Sequence, residues 1–69
     1  MTTVDLFGTV VVSTEMAVLM DFGGDEAVWV PKSVIVSADG VEGYFLEFVD
    51  GVSEQWLIAE WWAHREGLV

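Results

Sequence analysis

The chain has no cysteine, one proline, one histidine and only two basic residues among its 69. Without cysteine it has neither disulfides nor thiolate metal ligands, so a core rich in aromatic residues must hold the domain together unaided. The missing cysteine also fits a reducing compartment. No apolar run approaches the ~20 residues that span a bilayer. The opening MTTVDLFG lacks the basic n-region and long apolar stretch of a secretion signal. These absences predict a soluble, cytoplasmic protein. The length allows one domain, residues 1–69, and a domain this small buries only about 60% of its unfolded surface.

What is abundant is negative charge. Twelve carboxylates face one Lys and one Arg, for a formal net charge of −10. A compact domain of this size has a radius of gyration of roughly 11 Å. Over a span of about 30 Å, duplex DNA carries on the order of 17 charges. The domain therefore presents charge at a density of the same order as nucleic acid. Direct binding to DNA or to an anionic membrane is disfavoured, whereas a basic protein surface is favoured, with fast and salt-sensitive association. Two plainer readings compete: net charge serves solubility, or a Lys-poor composition adapts the protein to a salty cytoplasm. The eight Trp and Phe residues and the abundant Val fit the second of these less well.

Residues 53–66, SEQWLIAEWWAHRE, read as the one helix. Ser53 suits the N-cap, Glu54 meets the positive end of the helix dipole, and Gly67 suits a left-handed position beyond the last turn. At about 100° per residue, Leu57, Ile58, Trp61 and Trp62 form a core-facing stripe. Trp56, Ala59 and Ala63 fall on the far side, so the helix is apolar nearly all round. That second side is left for a sheet edge, a partner or a second copy.

The rest reads as strands. Residues 4–14 alternate, with Val4, Leu6, Val10 and Val12 inward; Phe7 and Val11 interrupt the polar face. Residues 17–22 form a second strand with Val18, Met20 and Phe22 inward. Gly23-Gly24-Asp25-Glu26 turns into a short third strand, 27–30, which Pro31 ends or bends. Residues 33–37 and 43–49 follow as fourth and fifth strands, separated by a turn at Ala38-Asp39-Gly40. The predicted fold is α+β: a small antiparallel meander of four to five short strands with one C-terminal helix packed on it. A small β-barrel plugged by the helix is the alternative.

Several patterns resemble chemistry without its context. Gly23-Gly24-Asp25-Glu26 matches part of the signature of cyclic-dinucleotide synthases, but Ala27 stands where Phe is expected and those domains are more than twice as long. Asp21-Phe22-Gly23 matches the kinase metal-binding triplet, with no Gly-rich loop, strand lysine or catalytic loop beside it. Asp21, Asp25 and Glu26 lack the spacing of a calcium loop. His64, Tyr44 and Lys32 stand without companions. The expectation is a protein that is not an enzyme, with no cofactor, no metal and no catalytic residue.

Two segments carry a resemblance. Val28-Trp29-Val30-Pro31-Lys32-Ser33 and Glu60-Trp61-Trp62-Ala63, closing at Gly67-Leu68, resemble short proteins encoded by phages and mobile elements. Those pair a W-(V/F)-P-(K/R)-S strand segment with a terminal E-W-L-A-x-x-x-G-L helix. The matched residues cover less than a quarter of the chain. Ala59 stands where the relatives usually have proline, which lets the helix begin earlier, and Trp62 replaces a leucine. In size, acidity and lack of catalytic residues the chain is similar to anti-CRISPR proteins, particularly inhibitors of type I surveillance complexes.

That resemblance implies a stoichiometric inhibitor, a monomer or weak homodimer in the bacterial host cell. Its carboxylates would occupy the basic surface of a CRISPR effector protein that normally receives target DNA. Arginines shaped for phosphate also pair with carboxylates. The residues expected to make the contact are Asp21, Asp25, Glu26, Asp39, Glu42 and Glu47, in the acidic turns and on the solvent face of the sheet. The competing reading is a homodimerising or partner-docking module that works through Trp56, Trp62 and Ala63, with the acidity serving solubility alone.

Overall fold

A computed structural model describes residues 2–69. Its strands are β1 (Thr3–Ser13), β2 (Ala17–Asp21), β3 (Val28–Pro31), β4 (Ile35–Ala38), β5 (Val41–Glu42) and β6 (Ser53–Ala59), followed by one short helix, α1 (Glu60–Arg65). The strands form a single antiparallel sheet in the order β3-β2-β1-β6-β4-β5. The class is α+β, but with six strands rather than four to five.

The largest correction concerns residues 53–59. They form a strand in the middle of the sheet, paired with β1 from Thr3↔Ala59 to Thr9↔Ser53 and with β4 from Ile35↔Ile58 to Ala38↔Trp56. A helix there would leave the long β1 with an unpaired edge, and β4 and β5 with no sheet to join. Apolar residues on both sides suit a central strand as well as a buried helix. The fold is consequently not a meander, because the last strand inserts between β1 and β4.

The helix begins where pairing ends. Thr3 is the last partner on β1, and the next amide, Glu60 N–H, donates to the Thr2 carbonyl at 3.0 Å. Ala59, which occupies the N-cap position, supplies no side-chain cap, and Glu60 places a carboxylate in the first turn. At the other end Gly67 adopts φ +74°. Gly67 N–H donates to His64 C=O at 3.1 Å and Leu68 N–H to Ala63 C=O at 2.9 Å, a complete Schellman cap.

The route from β3 to β4 sets the curvature. In a flat sheet these strands would lie four spacings apart, about 19 Å. Four residue steps from Pro31 to Ile35 reach about 14 Å even when fully extended, and Lys32–Val34 are wound into a 3-10 turn. The sheet therefore curls around its inner face. It approaches the barrel alternative in curvature, while β3 and β5 remain as two unjoined edges.

Val10, Val18, Met20, Val30, Ile35, Trp56 and Ile58 fill the trough, and Trp62 from α1 closes one end of it. Trp56 is 1% exposed; its indole N–H donates to the Gly8 carbonyl at 2.9 Å, and its ring stacks on Phe48 with centroids 5.6 Å apart. Expected and observed inward residues agree at Val10, Val18 and Met20. They disagree at Val12, because a bulge between Val10 and Val12 turns that side chain outward opposite Leu19.

The expected fifth strand, 43–49, is instead a 3-10 turn, Gly43–Phe45, followed by irregular chain. Leu46 and Phe48 still pack inward, but Tyr44 points out and is 91% exposed. Residues 33–37 begin in the 3-10 turn and become strand only at Ile35.

Candidate functional site

The candidate acids are held by turns. Asp21 ends β2, and its Oδ1 accepts the Gly23 N–H at 2.8 Å, an Asx turn that starts the β2–β3 connection. Asp25 and Glu26 follow in that connection. Asp39 and Gly40 join β4 to β5 with φ of +49° and +77°, both positive as a tight two-residue hairpin turn requires. Glu42 lies on β5 opposite Ser37, and Glu47 follows the 3-10 turn. All six are exposed.

They form two groups rather than one face. Asp21, Asp25 and Glu26 cluster at the β2–β3 turn, and Asp39, Glu42 and Glu47 around β4 and β5. The β1–β6 pair runs between these groups. Its solvent side carries Thr9 and Ser53, whose hydroxyls hydrogen-bond at 2.7 Å, and the exposed Phe7 and Gln55. Glu47 is not on the solvent face of a strand, contrary to expectation.

Two further carboxylates complete the groups. Glu54 shares a surface depression with Asp39 and Glu47, and Asp5 shares another with Glu26. Glu54 has the parity of Trp56 and Ile58 on β6, a period-two signal that a helical reading of the same residues conceals. Asp5 belongs to the alternating polar face expected of the first strand.

The charge is hardly compensated. Arg65 Nε–H donates to Glu66 at 3.4 Å, the one ion pair among the described residues, and it is solvent-exposed. Lys32 instead sits over the Phe48 ring, 5.2 Å from its centroid. Eleven of the twelve carboxylates thus have no ion-pair partner among the described residues. Ten of the twelve are exposed, while Glu54 and Glu60 are half-buried.

The apolar surface is not where the helical reading put it. Trp56, Trp62 and Ala63, the proposed docking patch, are all buried. Trp61, expected in the core, is 57% exposed, with the Arg65 guanidinium 5.5 Å from its ring centroid. Phe7, Trp29, Tyr44 and Phe45 are also at least half exposed, so five of the nine aromatic residues face solvent. Trp29, Leu19 and Val12 line up across β3, β2 and β1 as an apolar row on the outer face.

His64 is exposed, and the described residues include no buried polar or charged side chain. They also include no group of three or more His, Asp or Glu side chains that could hold a metal ion. No described helix is long and apolar enough to cross a membrane. Fold and site together define a small α+β domain with an anionic, aromatic-studded surface. No family model, no curated protein and no solved structure matches the chain.

Proposed function

We propose that this protein is a non-catalytic, stoichiometric inhibitor that places its carboxylates on a basic, nucleic-acid-binding protein surface. The observation that carries this reading is the eleven carboxylates without an ion-pair partner among the described residues, on a domain of 27 × 25 × 19 Å. Duplex DNA 27 Å long carries about 16 phosphate charges, against a net −10 here. A phosphate-binding arginine pairs with such carboxylates as it does with DNA. The resemblance to type I anti-CRISPR proteins supplies the particular partner: the DNA-receiving surface of a type I CRISPR effector in a bacterial cytoplasm. The two acidic groups flanking the β1–β6 pair stand in for two stretches of phosphate rather than one continuous row.

The test reverses Asp25, Glu26, Asp39 and Glu47 to Lys. Each reversal adds two charges, so the four move the formal charge from −10 to −2. All four side chains lie on turns or irregular chain, and with less mutual repulsion the variant should melt no lower than wild type. Inhibition of target-DNA binding by the effector, read by gel mobility shift, should be lost. Undiminished inhibition by the folded variant would refute the electrostatic reading.

The second reading, a docking module, is favoured by the exposed aromatic residues but must move away from the helix. Its surface is then the outer row of Trp29, Leu19 and Val12. It predicts that Trp29→Glu abolishes partner binding or self-association in light scattering, whereas the charge reading predicts a monomer that still inhibits.

A further inference from the structure

Beside β5 the sheet's inner face is not fully covered. There Ala38, Val41, Phe45, Leu46, Val52 and Trp56 line an open groove of about 280 Å³. That volume lies at the foot of the roughly 300–1,000 Å³ typical of small-molecule sites. It suits a side chain rather than a cofactor. Asp39, Glu47 and Glu54 stand around the rim, and no basic residue lines it. The neighbouring depression differs in this respect, because Lys32 already supplies a cation to Phe48 and Tyr44 stands beside it.

We infer that this groove is the seat of one arginine side chain from a basic partner protein. The inference rests on the reading of the protein as an inhibitor of a basic surface, and it names the place where that surface is anchored. Charge complementarity identifies the occupant. An arginine has an apolar stem that lies along Leu46 and Val52, a planar guanidinium that stacks on an aromatic wall such as Phe45, and five donors for the rim carboxylates. Lysine matches the charge but neither the stacking nor the bidentate geometry. A phosphate or a carboxylate would meet three like charges. Buried aromatic or arginine anchors dominate protein interfaces, whereas exposed rim charges act mainly on the association rate. One seated arginine therefore sets residence time, and the remaining acids steer the approach.

The experiment uses the full chain, labelled with ¹⁵N, and a six-residue peptide alternating arginine and glycine. Matched peptides carry lysine or citrulline in place of arginine. Two isosteric variants lose the same charge: Glu47→Gln with Glu54→Gln in the groove, and Asp5→Asn with Glu26→Gln in the depression near Leu68. The arginine peptide should shift the amides of residues 38–54. It should bind at least fivefold tighter than the lysine peptide, and the citrulline peptide should not bind. The groove variant should lose tenfold or more in affinity, and the distal variant no more than about twofold.

Equal losses in the two variants would overturn the groove as an anchor while leaving the general charge reading intact. Equal affinity for lysine and arginine would overturn the arginine assignment. Absence of shifts in residues 38–54 would overturn the groove altogether, and the charge reading would fall with it only if the four-site reversal also left inhibition untouched.

Discussion

Replacing Trp56 by phenylalanine tests whether residues 53–59 are the central strand. The indole is fully enclosed, donates to the Gly8 carbonyl at 2.9 Å and stacks on Phe48. Phenylalanine keeps a ring for the stack but removes the donor and leaves unfilled volume. Loss of a buried hydrogen bond costs about 1 kcal/mol and the cavity contributes a similar amount, together about 2–3 kcal/mol. A domain of this length has a total stability of roughly 3–10 kcal/mol, so the variant remains folded where Trp56→Ala would be close to unfolding. For a domain of this size each kcal/mol moves Tm by about 4–8 °C, which puts the expected drop at roughly 10–20 °C. The assay is a thermal melt followed by far-ultraviolet circular dichroism.

Trp61→Phe is the internal control. Trp61 lies on the surface, and such changes stay within about 0.5 kcal/mol, a shift below roughly 4 °C. A continuous helix over 53–66 reverses the ranking, because it buries Trp61 and turns Trp56 outward. A Trp56→Phe melt within 3 °C of wild type (an error-bar threshold of about half a kcal/mol), or a larger loss for Trp61→Phe, would refute the strand.

Other perturbations follow from the same packing. A Cβ at Gly43 would overlap the Ile35 carbonyl oxygen, which is backbone and cannot move aside. Gly43→Ala should therefore lower Tm by 10 °C or more, on the order of 2 kcal/mol, and an unchanged melt would mean the 3-10 turn does not press on β4. Gly67→Ala forces a side chain into the left-handed cap at a cost of about 1–2 kcal/mol, and a rise in Tm would contradict that cap. Raising salt from about 0.01 M to 0.15 M shortens the screening length from about 30 Å to 8 Å. With a net charge of −10 repelling itself, Tm should rise by several degrees, about 1 kcal/mol; a fall would mean that charge attractions dominate.

The parts of the fold visible from local pattern are those determined by local chemistry. The turn at Gly23–Glu26, the Asp39-Gly40 hairpin, the inward Val18 and Met20 and the cap at Gly67 all express backbone and side-chain preferences of a few adjacent residues. The strand at 53–59 does not. Trp56, Leu57, Ile58 and Ala59 satisfy a helical stripe and a doubly covered strand equally well. The decision comes from β1 and β4, some fifty and twenty residues earlier in the chain, which each need a neighbour. Val12 faces outward for a similar reason, since one bulged residue inverts the alternation beyond it. The acidic turns of the candidate site were readable from Asp, Glu and Gly alone. Glu54 was not, because its place beside Asp39 and Glu47 exists only once β6 lies against β4.

The late insertion of β6 also constrains how the protein can be made. Until β6 pairs, β1 with β2 and β3, and β4 with β5, are two pieces whose facing edges are unsatisfied. Nearly every sheet contact that joins those pieces spans a large sequence separation, which slows folding. Without β6 the two pieces have no strand between them, and the trough loses Trp56 and Ile58.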